Sequence, residues 1–293
     1  MANARALDKR RKSIRNIRKI TRTMELIATA RYKKAMDRAA AVTAYTDRLS
    51  QIVNSLADAG TEVRHPLLEQ RKNPKAARLL TLSSNRGLCG GYNASVLRAT
   101  MPHIGELKSA VSNVLVDVSG KRGINGLKFR GIDPNDMYQQ FEDQPGYDEV
   151  EVIASKYLEL YVTGQMDRLD VVFTKFISTS RQQVTIETLL PFGSLDEGAD
   201  KHAQETNTQY EFQPSAESIL EEVVPTSFKA KLFKCFLDSA VSEQVARMIA
   251  MKGATESAGD MIKQLSMTYN RARQSQITGE IMEIIGGVEA LEG

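Results

Sequence analysis

The stretch that decides the fold is VARMIAMKGATESAGDMIKQLSMTYNRARQSQITGEIMEIIGG, residues 245–287. No proline follows Pro225, and apolar or small residues recur at three- and four-residue spacing through Met251, Ala254, Ala258, Met261, Leu265, Thr268 and Ala272. That spacing predicts one long helix. A helix of about 60 residues runs roughly 90 Å at 1.5 Å per residue, whereas a compact domain of about 120 residues has a radius of gyration near 14 Å. Most of the helix is therefore expected to stand clear of its own globular domain. Its small seam residues favour close approach by a second helix.

The other end of the chain supplies the partner. Residues 3–57 contain neither glycine nor proline, and a 3-4 spacing runs through Ile14, Ile17, Thr21, Met24, Ala28, Arg31, Ala35, Arg38, Val42, Tyr45, Leu49, Ile52 and Leu56. This is a coiled-coil register. Ile20 and Ile27 widen the apolar stripe beyond what a two-stranded seam requires, which points to a third surface. Arg31 and Arg38 would lower stability on the seam unless solvent or a carboxylate reaches them. Gly60 and Pro66 end this helix.

Between the helical ends, RLLTLSS, NVLVDVS, RLDVVFTKFIS and QQVTIETLLPF read as strands. Helices are expected from Ala94 to about Leu107 and from about Glu149 to Thr163, while GKRGINGLKFRG reads as a glycine-punctuated loop. The alternation indicates an inserted Rossmann-like α/β domain with a largely parallel sheet. GSLDEGADKHAQETNTQ reads as a loop, YEFQP as a short edge strand, and a helix from Ser215 is expected to bend or restart at Pro225. Helices entering and leaving one domain run antiparallel. The expected division is a coiled-coil helix over 1–60, an α/β foot over 75–195, and a returning coiled-coil helix over 210–293 that pairs with the first.

Composition narrows the chemistry. The 293 residues are 42% hydrophobic, enough to bury a core. Cys89 and Cys235 lie far apart, and with three histidines there is no CxxC or HExxH spacing, so both thiols read as reduced and no structural zinc is expected. No apolar run approaches the ~18 residues of a membrane span. The net charge of +3 hides an asymmetry: residues 1–40 hold thirteen Lys or Arg, whereas after Arg273 only acidic charges occur.

The most enzyme-like feature is NRGLCGGYN, where Gly87, Gly90 and Gly91 could bring backbone N–H groups to a phosphate. It matches neither GxGxxG nor GxxxxGK[ST], and a tight strand-to-helix turn explains it. No His or acid flanks Cys89, so it reads as a small buried apolar residue. His65, His103 and His202 default to surface roles. The basic N-terminal helix could bind nucleic acid, but it keeps an apolar seam and offers only Tyr32 for stacking. At the far end Ile277, Ile281, Ile284, Ile285, Val288 and Leu291 make a nearly all-round apolar tip, best explained by a hydrophobic socket in another subunit.

Three segments, SIRNIRKITRTMELIATARYKKA (13–35), SSNRGLCGGYN (83–93) and residues 247–287, resemble the gamma subunit family of F-type ATP synthases, in that family's order and over essentially the whole chain. The resemblance implies a non-catalytic central rotor shaft. Its helical pair would sit inside a ring of alpha and beta subunits and its foot on the membrane c ring beside epsilon, peripheral to the cytoplasmic face of a bacterial inner membrane. Proton-driven rotation would drive the beta sites through their binding states by differential contact. No cofactor is expected, since ATP and magnesium belong to the neighbours, and no nucleic-acid partner. The resemblance places Met24 and Arg247 against an acidic lever of beta. Arg273, Gln274 and Thr278 would form a polar catch on a beta loop, with Glu280 in the same signature. Tyr210, Phe212, Gln213 and Pro214 would make the foot contact to the c ring and epsilon.

Two plainer roles stand beside these: Met24 can be seam core, and Thr278 can bond its own helix backbone. Gln213 stands where many relatives carry Glu, and Gly253 where Ala is usual; the dithiol insert of plant chloroplast relatives is absent. The alternative reading is a nucleotide-dependent α/β enzyme that uses its helices for oligomerisation.

Overall fold

The computed structural model describes residues 4–58, 65–68, 71, 73–141, 144–192 and 216–292. In chain order they form α1 (Ala4–Asp58), β1 (Ala76–Leu82), α2 (Tyr92–Ala110), β2 (Asn113–Ser119), α3 (Lys121–Phe129), β3 (Met137–Tyr138), α4 (Tyr147–Val162), β4 (Arg168–Phe176), β5 (Gln182–Leu190) and α5 (Ala216–Glu292). The YEFQP segment, the loop before it, Gly60 and His202 lie outside the described residues. Two compact units result, one of residues 1–29 with 247–293 and the other of residues 30–246.

The larger unit is built on a five-stranded sheet of order β3-β2-β1-β4-β5, parallel except for the antiparallel β4–β5 pair. Period-2 alternation sorts its side chains into two cores. On one face Ala77, Leu79, Val118 and Val172 meet Val96, Ile104 and Leu107 of α2 and Ile124 and Leu127 of α3. On the other, Leu80, Leu82, Val171 and Phe173 meet Ile153 and Tyr157 of α4, Phe228, Leu232 and Phe236 of α5, and Ala35 and Ala39 of α1. Every residue from Cys235 to Ser242 is buried, so this part of α5 is enclosed on all sides, as a helix with apolar residues around its circumference requires.

Three local readings change. GKRGINGLKF is a helix, not a loop: its glycines are there for close approach. A Cβ at Gly123 would lie 2.4 Å from Ser83 Oγ and 2.8 Å from Val118 Cγ2, so glycine lets α3 settle against the β1 loop, while one at Gly126, 2.3 Å from Leu97 Cδ1, would make that side chain swing aside. Of the bend or restart expected at Pro225, the restart does not occur: α5 runs as one helix through it. β3 leaves no mark in the sequence, because two residues carry no alternation.

In the smaller unit the terminal helices pair antiparallel. The Thr255 and Thr21 hydroxyls lie 2.8 Å apart, Arg18 approaches Gly259, and the Arg11 guanidinium sits 4.7 Å from the Tyr269 ring centroid. The seam uses only half of the expected positions. Thr21, Ala28, Met251 and Ala258 are buried as expected, but the alternate layer falls on Glu25, Ile262 and Tyr269 rather than Met24, Met261 and Thr268, while Ala254 and Thr255 are both half-buried. The same one-residue offset continues in the larger unit, where Ala39 and Thr46 turn inward in place of Arg38 and Tyr45 and Tyr32 packs against the core beside a half-buried Arg31. A 3-4 repeat read from one fixed position can place its second layer at +3 or +4, and both choices carry apolar or small residues here. The offset keeps Arg38 exposed and leaves Arg31 half-buried, which relieves the expected charge conflict.

Gly253 lies in the interior of α5 with nothing within 4 Å of a Cβ built on it. Gly253→Ala should raise the stability of the chain by up to about 1 kcal/mol through helix propensity alone, seen as a higher midpoint in thermal unfolding followed by circular dichroism.

Candidate functional site

In a sheet of this order the strand direction of connection reverses between β1 and β4, and the carboxyl ends of those strands are where such a fold opens a ligand crevice. Here the chain fills that ground with its own groups. Ser84 and Asn93 bond each other, and Asn93 Nδ2 donates to Cys89 Sγ at 3.1 Å. Asn85 donates to the Gln139 and Phe141 carbonyls and accepts from Lys121 N. Tyr92 Oη lies 2.6 Å from Ser239 Oγ, and Ser242 Oγ donates to the Thr174 carbonyl at 3.0 Å, so α5 lies across the carboxyl end of β4. Gly90 has φ +56°, the positive value expected of a tight turn, and Leu88 shares it at +66°. A Cβ at Gly87 would come within 3.0 Å of Arg122, a side chain of this molecule. The loop is a closed turn locked by its own side chains, with Cys89 buried at its centre.

The histidines correct an expectation. His65 and His103 are buried, not surface groups. His103 Nε2 lies 2.6 Å from the wholly buried Asp170, and Nδ1 lies 3.0 Å from Glu106. The bond to Asp170 raises the His103 pKa, overcoming burial. Burial pushes Asp170 up, but His103, Arg168 and Thr188 together hold it below the ordinary carboxylate range. These groups tie α2 to β4 and β5, a structural role that single-residue reading could not find because the partner is 67 residues away. Among the described residues no group of three His, Cys, Asp or Glu could hold a metal ion, and no helix is long and apolar enough to cross a membrane.

The surface of the smaller unit is where the chain offers most to a partner. Lys12, Arg15, Arg18, Lys19 and Arg22 line one open groove with Thr255 and Ile262. Sequence reading recognised the basic character of α1 but not that its cations converge. Ile17, Ile20, Leu26 and Ile27 are 45–59% exposed, the widened stripe on the first helix. Arg273, Gln274, Thr278 and Glu280 are exposed, and Glu280 accepts from Gln276 at 2.9 Å. Ile277, Ile281, Ile284, Ile285 and Val288 are 44–67% exposed. The side chain of Leu291, and Tyr210, Phe212, Gln213 and Pro214, lie outside the described residues.

Met24 is half-buried beside the seam, not in it. Arg247 departs from an exposed helix face: it is only 6% exposed. It stands four residues before Met251 and seven before Ala254, so the 251-254-258 stripe itself, carried one turn back, turns it inward.

Comparison with known proteins gives a family. A family model described as ATP synthase matches residues 3–291. The ATP synthase gamma chain of Rhodopirellula baltica is 75% identical over 296 residues, covering all of both chains, and that of Leptospira biflexa is 37% identical over 291 residues, covering 99% of this chain and 100% of the relative. Among solved structures, a chain of the Euglena gracilis mitochondrial ATP synthase F1/c-ring assembly shares the fold with a TM-score of 0.67 at 16% identity, covering 98% of this chain and 94% of that one. A chain of the Tetrahymena thermophila mitochondrial ATP synthase central stalk aligns with a TM-score of 0.55 at 19% identity, over 80% and 99%. With a family match spanning 3–291 and full-length identity to curated gamma chains, the chain belongs to the family of ATP synthase gamma chains.

Proposed function

We propose that the chain is the central rotor shaft of an ATP synthase and is not itself catalytic. It transmits rotation of a membrane c ring, driven by protons, to the beta subunits of a surrounding alpha–beta ring. In this reading, residues 1–60 and 210–293 serve as the shaft and 75–195 as the foot. The foot meets the c ring and epsilon, and the assembly lies peripherally on the cytoplasmic face of a bacterial inner membrane. Met24, Arg247, Arg273, Gln274, Thr278 and Glu280 are the proposed beta contacts, Ile277 to Leu291 the bearing tip, and Tyr210 to Pro214 the foot contact.

The observation that carries this reading is the apolar tip, whose isoleucines stand 44–67% exposed on the C-terminal part of α5. A surface of that kind marks a partner site. Mechanistically the shaft needs no chemistry: an orientation that binds one beta conformation better than another shifts that site's equilibrium by the difference in affinity.

The test is co-purification of the tagged chain from its native membrane, with nucleotide titration of the chain alone. Alpha and beta subunits should accompany it, and calorimetry should detect no ATP binding by the isolated chain. Tight ATP binding without those companions would point to a nucleotide-dependent enzyme instead.

A further inference from the structure

The stripe of α5 that faces the β4–β5 pair carries two charged groups and a hydroxyl around one core cysteine. Lys231, Cys235, Asp238 and Ser242 follow one another at spacings of four, three and four, which puts them on one face of the helix. Lys231 reaches Glu187 of β5 at 3.0 Å, and Ser242 donates to the Thr174 carbonyl of β4 at 3.0 Å. Between these two attachments lies Asp238, 7% exposed. Among the described residues no hydrogen bond or ion pair reaches its carboxylate; the charges that act on it are Lys234 one turn back on α5, Lys175 of β4 and Glu187 of β5. The carboxylate is thus hydrated only through the little surface the residue keeps, a cost that the shaft reading does not explain.

We propose that the seam between α5 and β4–β5 is a proton-sensitive seat, in which Asp238 takes up a proton as its surroundings acidify and the helix is then held more firmly on the sheet. Burial disfavours the charged form, and Lys234 and Lys175 offset only part of that, with Glu187 adding repulsion; the carboxyl is pushed up to about 6. The direction follows from linkage. A carboxyl whose folded pKa lies above its unfolded value binds its proton more tightly when folded, so the chain gains stability as pH falls through about 6 toward 3.8. The gain is lost again as pH rises. This device goes beyond the rotor reading and is tested on the chain alone, so failure of one leaves the other standing.

Hydrogen exchange of the full chain, followed by mass spectrometry at pH 5 and pH 8 and corrected for intrinsic rates, reads the seat directly. Relative to Asp238→Asn, the wild-type α5 amides that exchange by global opening should be protected about tenfold more at pH 5 than at pH 8. His103 titrates in both proteins and cancels in that ratio. An equal pH dependence in wild type and variant overturns the proposal. Carbon-13 titration of the Asp238 carboxyl in the wild-type chain gives a second reading that needs no stable variant: a midpoint near 6 supports the seat, and one near 4 overturns it.

Discussion

Gly120→Ala is expected to lower the stability of the chain by about 3–5 kcal/mol, as the sum of backbone strain and overpacking. Gly120 has φ +99° and ψ 133°, a region that residues with a Cβ rarely occupy. A Cβ there would also stand 2.2 Å from the Ser83 carbonyl oxygen and 2.6 Å from its carbon. Those are backbone atoms and cannot swing aside. They are held in place because Ser83 N donates to the Ser119 carbonyl at 2.8 Å, while Gly120 N donates to the Tyr138 carbonyl at 2.9 Å. The alanine must therefore push apart the carboxyl ends of β1 and β2, and β3 with them. Gly131 supplies the control: it also has positive φ, +78°, but nothing lies within 4 Å of a Cβ built on it. Gly131→Ala should cost only about 1 kcal/mol from the left-handed backbone. Urea denaturation of the two variants separates them, and similar midpoints would show that close approach at Gly120 is not what matters.

Why Gly120 was not legible in the sequence is instructive. All four main strands, and the helices α2 and α4 between them, are legible because alternation and 3.6-residue periodicity are local signals. The parallel sheet followed from the alternation of strands and helices. The glycines of GKRGINGLKF give a local signal too, but it is ambiguous: the same residues mark a flexible loop or a helix brought unusually close to its neighbours, and only Ser83 and Leu97 decide which. The helix pair shows the same limit. A 3-4 repeat reveals that a seam exists, yet its second layer is chosen by what the facing helix presents, here Thr21 opposite Thr255. The resemblance places Met24 and Arg247 without saying how far each is buried: Met24 is half-buried, and Arg247, one heptad before Ala254, is buried. The His103–Asp170 pair was out of reach for a different reason, since neither residue belongs to a motif and the contact exists only once α2 lies on β4.

Arg247→Glu should destabilise the isolated chain by about 3–5 kcal/mol, the usual consequence of placing an uncompensated charge in a buried site. The residue is 6% exposed, so its surroundings accommodate a cation, and an ionised carboxylate there would be both desolvated and of the wrong sign. Arg273→Glu makes the opposite case. Arg273 is exposed, and a surface substitution of this kind usually changes stability by no more than about 0.5 kcal/mol. The two reversals together separate folding from contact. Urea unfolding of each chain alone should show a large shift for Arg247→Glu and almost none for Arg273→Glu. Coupled ATP hydrolysis, assayed after assembly with alpha and beta subunits, then measures contact only where the chain itself is intact. A loss of coupling at position 273 with an unchanged unfolding midpoint supports a beta contact there. At position 247 the same loss carries that meaning only if the midpoint is also unchanged, and that result would contradict the burial argument.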